Sequence, residues 1–87
     1  MKQPIQVNFY TRPVCPLCDK AKMLLLELAN EFPLEIHEID IYQDDDLLEK
    51  YQLVIPVVEI DGEEVDYGMV SAEAIRHYIQ SKKKHND

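Results

Sequence analysis

The chain has 87 residues, with 9 Lys+Arg against 17 Asp+Glu and 46% hydrophobic residues. That is enough for one domain around a single core and too little for a second. Ordinary apolar and charged shares exclude a disordered or collagenous chain, and the 2 cysteines exclude a disulfide-dense scaffold. A formal net charge of -8 argues against nucleic acid, which needs Lys and Arg gathered on one face. The run Lys82–Lys84 is too small and too terminal to reverse that. No stretch approaches the roughly 18 consecutive apolar residues of a membrane span, and Met1–Tyr10 lacks the apolar run of a signal peptide. A cytoplasmic protein without a membrane or nucleic-acid partner is expected.

In Ile5–Tyr10, Ile5, Val7 and Phe9 alternate with Gln6, Asn8 and Tyr10, which is the period of a strand. After the loop Thr11–Val14, a helical pattern runs from Pro16 to about Glu31. Leu17, Ala21, Leu24, Leu25, Leu28 and Phe32 fall on one stripe of it, with Met23 and Leu26 outside. Pro33 ends that helix, and Ile-rich Leu34–Tyr42 reads as a second strand. Asp44, Asp45 and Asp46 suit the start of a short helix better than a metal site. Leu47, Leu48 and Tyr51 form its inward side. Val54–Ile60 is a third strand, Asp61-Gly62 a two-residue hairpin turn, and Glu63–Tyr67 the returning fourth strand. Ser71 caps a last helix reaching about Lys83, with Val70 and Ile75 as a hydrophobic staple and Ile75 and Ile79 as its packing face. The domain core spans about 5–80, and 81–87 is its charged C-terminal tail.

The order β-α-β-α-β-β-α follows. A helical crossover makes the first two strands parallel, and the tight turn makes the last two antiparallel. The fold class is α/β: one mixed four-stranded sheet carrying three helices.

Cys15-Pro16-Leu17-Cys18 lies where the first strand hands over to the first helix. Pro16 suits the first helical position, where its missing N–H is no loss. Cys15 is then the N-cap, and its sulfur should accept an N–H from Leu17 or Cys18, which a thiolate does better than a thiol. The helix dipole adds up to about 1 kcal/mol, under one pKa unit. Bringing a free thiol down from about 8.5 also needs those hydrogen bonds and the cation of Arg12, against the opposing charge of Asp19. A lowered pKa for Cys15 and a more buried, less reactive Cys18 is the asymmetry that thiol–disulfide exchange requires. A bridge this local constrains little of the unfolded chain, so stability does not explain the pair. Two readings stay open beside it: idle cysteines, and half of a zinc site. Zinc normally needs four ligands, and His37, His77 and His85 form no second close pair. No bound metal is therefore expected. His77 and Tyr78 are assigned to surface or packing.

The run Phe9-Tyr10-Thr11-Arg12-Pro13-Val14-Cys15-Pro16-Leu17-Cys18, with Ile55-Pro56-Val57-Val58 and Asp61-Gly62 further on, resembles the glutaredoxin branch of the thioredoxin fold. The resemblance extends from Val7 to Ile79 and is closest to small glutaredoxin-like proteins of bacteria. It implies a thioredoxin-like fold, with Cys15 as nucleophile and Cys18 as resolving cysteine. It also puts Arg12 near the basic residue that helps hold the glutathione carboxylate. Pro56 matches the cis-proline facing the active-site cysteine; from the residues alone, a trans proline opening a strand fits as well. Ile55 would offer its backbone to the bound thiol partner. Leu17 replaces the usual Tyr, Val54-Ile55-Pro56 replaces Thr-Val-Pro, and Asp66–Ser71 keeps one glycine, Gly68, of the pair that binds glutathione. Ser71 is left to present its hydroxyl and a helix N-terminus to a carboxylate.

The expected function is a monomeric thiol–disulfide oxidoreductase without a tightly bound cofactor. Its partners would be disulfide-containing proteins or glutathione as co-substrate, with a reductase or thiol to recycle the dithiol. The alternative is a non-enzymatic module that senses redox state or holds a metal or iron–sulfur cluster between two chains, with Met23 and Leu26 available for the dimer contact.

Overall fold

The computed structural model describes residues 4–85, and of 83–85 the backbone alone. Its elements are β1 (Ile5–Thr11), α1 (Pro16–Leu28), β2 (Leu34–Asp40), a 3-10 turn (Ile41–Gln43), α2 (Asp45–Tyr51), β3 (Val57–Ile60), β4 (Glu63–Tyr67) and α3 (Ala72–His85). The strands form one sheet in the order β2-β1-β3-β4. β1 runs parallel to β2, with Val7 opposite Ile36, and antiparallel to β3, with Tyr10 opposite Val57. β3 and β4 are antiparallel, with an irregularity in register between Val58 and Glu59. Asp61 (φ 49) and Gly62 (φ 88) turn the hairpin between them, the paired positive φ of a primed turn. No helix among the described residues is long and apolar enough to cross a membrane.

The period-2 alternation of β1 splits the core between the two sheet faces. Val7 and Phe9, with Val58 and Ile60, meet Cys18, Ala21, Leu25 and Leu28 of α1 and Ile75 and Ile79 of α3. On the other face Tyr10 and Val57 pack with Ile41 and with Tyr51 of α2, and the two tyrosine rings lie 4.6 Å apart. Leu25 and Ile75 are both 0% exposed. Truncating either to Ala would leave a cavity, at a cost of about 2–5 kcal/mol.

Several element ends differ from the expected ones, and those of α1, β2 and β3 do so for a local hydrogen-bonding reason. The buried stripe of α1 is Cys18, Ala21, Leu25 and Leu28, so Leu17, placed on it from periodicity, is instead exposed at 39%. Cys18 turns inward to meet Cys15 and takes that place. α1 ends at Leu28, short of Glu31, because Asn30 and Glu31 donate to the carbonyls of Glu27 (3.1 Å) and Leu28 (2.9 Å), tightening the last turn before Pro33. β2 stops at Asp40, short of Tyr42, because the Asp40 carboxylate accepts the Tyr42 N–H at 2.9 Å and bends the chain into the 3-10 turn. β3 begins at Val57 and not at Val54: the N–H groups of Val54 and Ile55 both donate to the Tyr51 carbonyl (2.9 and 3.1 Å), closing α2, and Pro56 has no N–H to give a ladder. α3 continues to His85, beyond Lys83. Asp44 does cap α2, accepting from Asp46 and Leu47 (2.9 and 3.3 Å). Ser71 Oγ accepts the Ala74 N–H at 3.4 Å, with Val70 packed on the cluster that contains Ile75.

Candidate functional site

The sheet register brings three chain segments to one end of the molecule. β1 leaves the sheet at Thr11, β3 enters with Val57 opposite Tyr10, and β4 leaves with Tyr67 opposite Val57. The loop into α1, the Ile55-Pro56 segment and the loop into α3 therefore lie side by side. The Ile55-Pro56 peptide is cis, and the Pro56 carbonyl accepts the Gly68 N–H at 2.8 Å. Gly68 has φ +69 with open space where a Cβ would be, so glycine is favoured there by backbone conformation and not by crowding.

Cys15 is the N-cap of α1, in extended conformation (φ -138, ψ 102), with Pro16 in the first turn. Its sulfur accepts the Cys18 N–H at 3.2 Å, one of the two donors expected, and its carbonyl accepts the Asp19 N–H at 3.0 Å. Cys15 and Cys18 are joined as a disulfide with Cα atoms 5.1 Å apart, inside the usual range. Both are buried, Cys15 at 6% and Cys18 at 3% exposure, in the cluster on which Ile55 and Val70 pack. Val14, immediately before the pair, has φ 53, rare for a β-branched residue.

The expected partner-binding residues fall around this pair in different states. Arg12 is exposed in the loop before Cys15, and none of the ion pairs among the described residues uses it. Pro56 is buried. Ile55 is half-buried, its N–H already bonded to Tyr51. Ser71 is exposed at the head of α3, and its N–H donates at 2.9 Å to the carboxylate of Asp66. The other oxygen of Asp66 accepts the Tyr67 N–H at 2.9 Å. Asp66 was not singled out from the sequence. The signal available was an acidic residue closing a strand just ahead of a helix start.

His37 and His77 stand on elements other than the loop and helix start that carry the pair. His37 is exposed on β2, its Nε2 2.9 Å from both Gln6 Oε1 and Glu35 Oε2. His77 is exposed on α3, and the side chain of His85 lies outside the described residues. Among the described residues, no three His, Cys, Asp or Glu side chains converge as metal ligands. Cys15 and Cys18 are the 2 cysteines of the chain, so one chain supplies two thiolate ligands and no more.

A mixed four-stranded sheet with three helices, a disulfide-bonded cysteine pair at the first helix start and a cis-proline on the adjoining segment define a dithiol protein of thioredoxin fold. The glutaredoxin-like domain family (DUF836) matches residues 6–80, and the chain belongs to that family. Over 81 residues it is 27% identical to a thioredoxin of Methanocaldococcus jannaschii, an alignment covering 90% of this chain and 95% of that one. Among solved structures, the solution structure of a Nitrosomonas europaea protein superposes with a TM-score of 0.79 at 22% identity, covering 90% of this chain and 94% of that one. A mutant thioredoxin from Halobacterium salinarum NRC-1 gives 0.68 at 20% identity, covering 91% of this chain and 74% of that one. These two structures share the fold.

Proposed function

We propose that the chain is a thiol–disulfide oxidoreductase, with Cys15 as the attacking thiolate and Cys18 as the resolving thiol. The observation that carries this reading is the Cys15 sulfur at the N-cap of α1, accepting the Cys18 N–H within bonding reach of the second sulfur. In the reduced protein that N–H and the positive end of the helix stabilise a thiolate on Cys15, and Arg12 adds a cation close by in the chain. Cys18, deeper and without a cap of its own, stays protonated until it is used.

The Cys15 thiolate attacks one sulfur of a partner disulfide; that S–S bond breaks and the distal sulfur leaves as a thiolate. Cys18 gives up its proton, attacks the Cys15 sulfur and releases the second partner sulfur. Two electrons pass from the dithiol to the partner, and the Cys15–Cys18 disulfide remains. Ile55 and Pro56 border the incoming chain. Because the Ile55 N–H already donates to Tyr51, its carbonyl is the group assigned to meet a partner N–H. A thiol or dithiol reductase returns two electrons, and we assign this cycle to the cytoplasm, where such reductants are kept.

The test is reduction of 2-hydroxyethyl disulfide by the purified protein, with glutathione and glutathione reductase recycling it and NADPH consumption as the readout. In a parallel run dithiothreitol replaces both glutathione and its reductase, and absorbance of oxidised dithiothreitol is the readout. Turnover should vanish in Cys15→Ser, whereas Cys18→Ser, mixed with the disulfide in the absence of any other thiol, should stall as a mixed disulfide detectable by mass. Undiminished turnover in Cys15→Ser would overturn the reading.

A further inference from the structure

Beside the cysteine pair, the start of α3 is where a visiting carboxylate would find donors. Helix N-termini present free N–H groups and the positive end of the dipole, and Val70, next to Ser71, packs on the cluster holding both sulfurs. The chain occupies this seat with its own side chain. One oxygen of Asp66 accepts the Ser71 N–H at 2.9 Å and the other the Tyr67 N–H at 2.9 Å, while Ser71 Oγ accepts from Ala74 at 3.4 Å. A second carboxylate arriving there meets a fixed negative charge.

Beside exposed Arg12, the segments that meet at this end also expose large apolar side chains. Val14 and Leu53 are each 93% exposed and Met69 is 83% exposed. Val14 and Leu17 flank Cys15 in the chain, Leu53 precedes the Ile55-Pro56 segment, and Met69 lies between Gly68 and Val70, which are tied to Pro56 and to the cysteine cluster. Val14 holds a left-handed backbone that no burial within the chain offsets.

We infer that Asp66 is a specificity-determining residue: by filling the anion seat it turns the dithiol toward disulfides flanked by uncharged, apolar polypeptide, seated on Val14, Leu17, Leu53 and Met69, and away from anionic small disulfides. This rests on the oxidoreductase reading above. The net charge of -8 acts in the same direction, lowering the local concentration of anionic partners and not of neutral ones.

The test uses the fully reduced full-length protein in single turnovers, followed by loss of its two thiols. Three disulfides are compared: 2-hydroxyethyl disulfide, small and uncharged; oxidised glutathione, carboxylate-rich; and an end-blocked apolar peptide dimerised through one cysteine. The peptide should react faster than oxidised glutathione. Leu53→Ser and Met69→Ser should each lower the rate for the peptide relative to hydroxyethyl disulfide by about tenfold, the scale of one lost apolar contact. Met23→Ser, an exposed position on the outer side of α1, serves as control and should not move that ratio. Asp66→Ala should raise the rate for oxidised glutathione relative to hydroxyethyl disulfide. Asp66→Asn, which keeps an acceptor for the Ser71 N–H while removing the charge, gives the same comparison if the alanine variant does not fold. Oxidised glutathione outpacing the peptide, or ratios unmoved by the Asp66 and Leu53 variants, would overturn the inference while leaving the oxidoreductase standing. No reaction with any of the three disulfides would overturn the oxidoreductase reading itself, and the inference with it.

Discussion

Val14 carries the backbone into Cys15 at φ 53 with its side chain 93% exposed. The left-handed region costs an L-residue about 1–2 kcal/mol, and no packing within the chain repays it. Glycine removes that strain but frees the unfolded chain by about 0.4–1 kcal/mol. Val14→Gly should therefore stabilise the fold by up to about 1 kcal/mol, raising Tm by about 4–8 °C at most for a domain of this size. A thermal melt followed by circular dichroism checks this, and a lower Tm would mean that Val14 is held by contacts. The N-cap position of Cys15 was legible from the sequence, because capping chemistry is local and Pro16 fixes the helix start. The carboxylate of Asp66 on the Ser71 N–H was not, because it depends on how β4 and α3 close around a loop.

At the scale of elements, tyrosines set against carboxylates tie α2 to β4 and β1 to β3. Tyr51 donates to Glu64 at 2.9 Å, Tyr10 to Glu59 at 3.3 Å, and Asn8 holds the same Glu59 oxygen at 2.8 Å. Burial, and then the charge of Glu59, pushes the Tyr10 phenol up to about 12. Burial, and then the hydrogen bond to Glu64, does the same to Tyr51, also to about 12. Both stand above the ordinary value near 10, so the folded protein holds these protons more tightly than the unfolded chain. Their contribution is complete below about pH 10 and is lost as pH rises through about 12. In an alkaline titration followed by phenolate absorbance, Tyr10 and Tyr51 should ionise late and together with loss of α2 packing. Tyr51→Phe should move unfolding to higher pH. Ionisation of all 5 tyrosines near pH 10 with the fold intact would count against the network. The existence and type of these elements could be read from periodicity. Their ends could not, since the Asp40 carboxylate and the Tyr51 carbonyl capture N–H groups that the strand pattern assigns to ladders.

For the whole molecule, charge sets the environment. The ion pairs Lys22–Glu38 (3.2 Å), Arg76–Glu31 (2.7 Å) and Lys82–Asp61 (3.5 Å) all lie on the surface, where such pairs contribute little. With 17 acidic against 9 basic residues, long-range repulsion outweighs them, and salt weakens it as the screening length falls to about 10 Å at 0.1 M. Tm should rise with added NaCl; a fall would show that the pairs dominate. Strand directions within β1–β2 and β3–β4 were legible from crossover and turn, but the pairing of β1 with β3 was not, because no local signal says which side of the sheet the hairpin joins. That pairing makes β2 and β4 the outer strands. An outer strand leaves a row of unpaired N–H and C=O groups, a template on which another copy can add. Here those two strands carry Glu35 and Glu38, and Glu63, Glu64 and Asp66. Two copies laid rim to rim would bring carboxylates together, so the acidity that strains the fold also guards its open sheet against fibre growth.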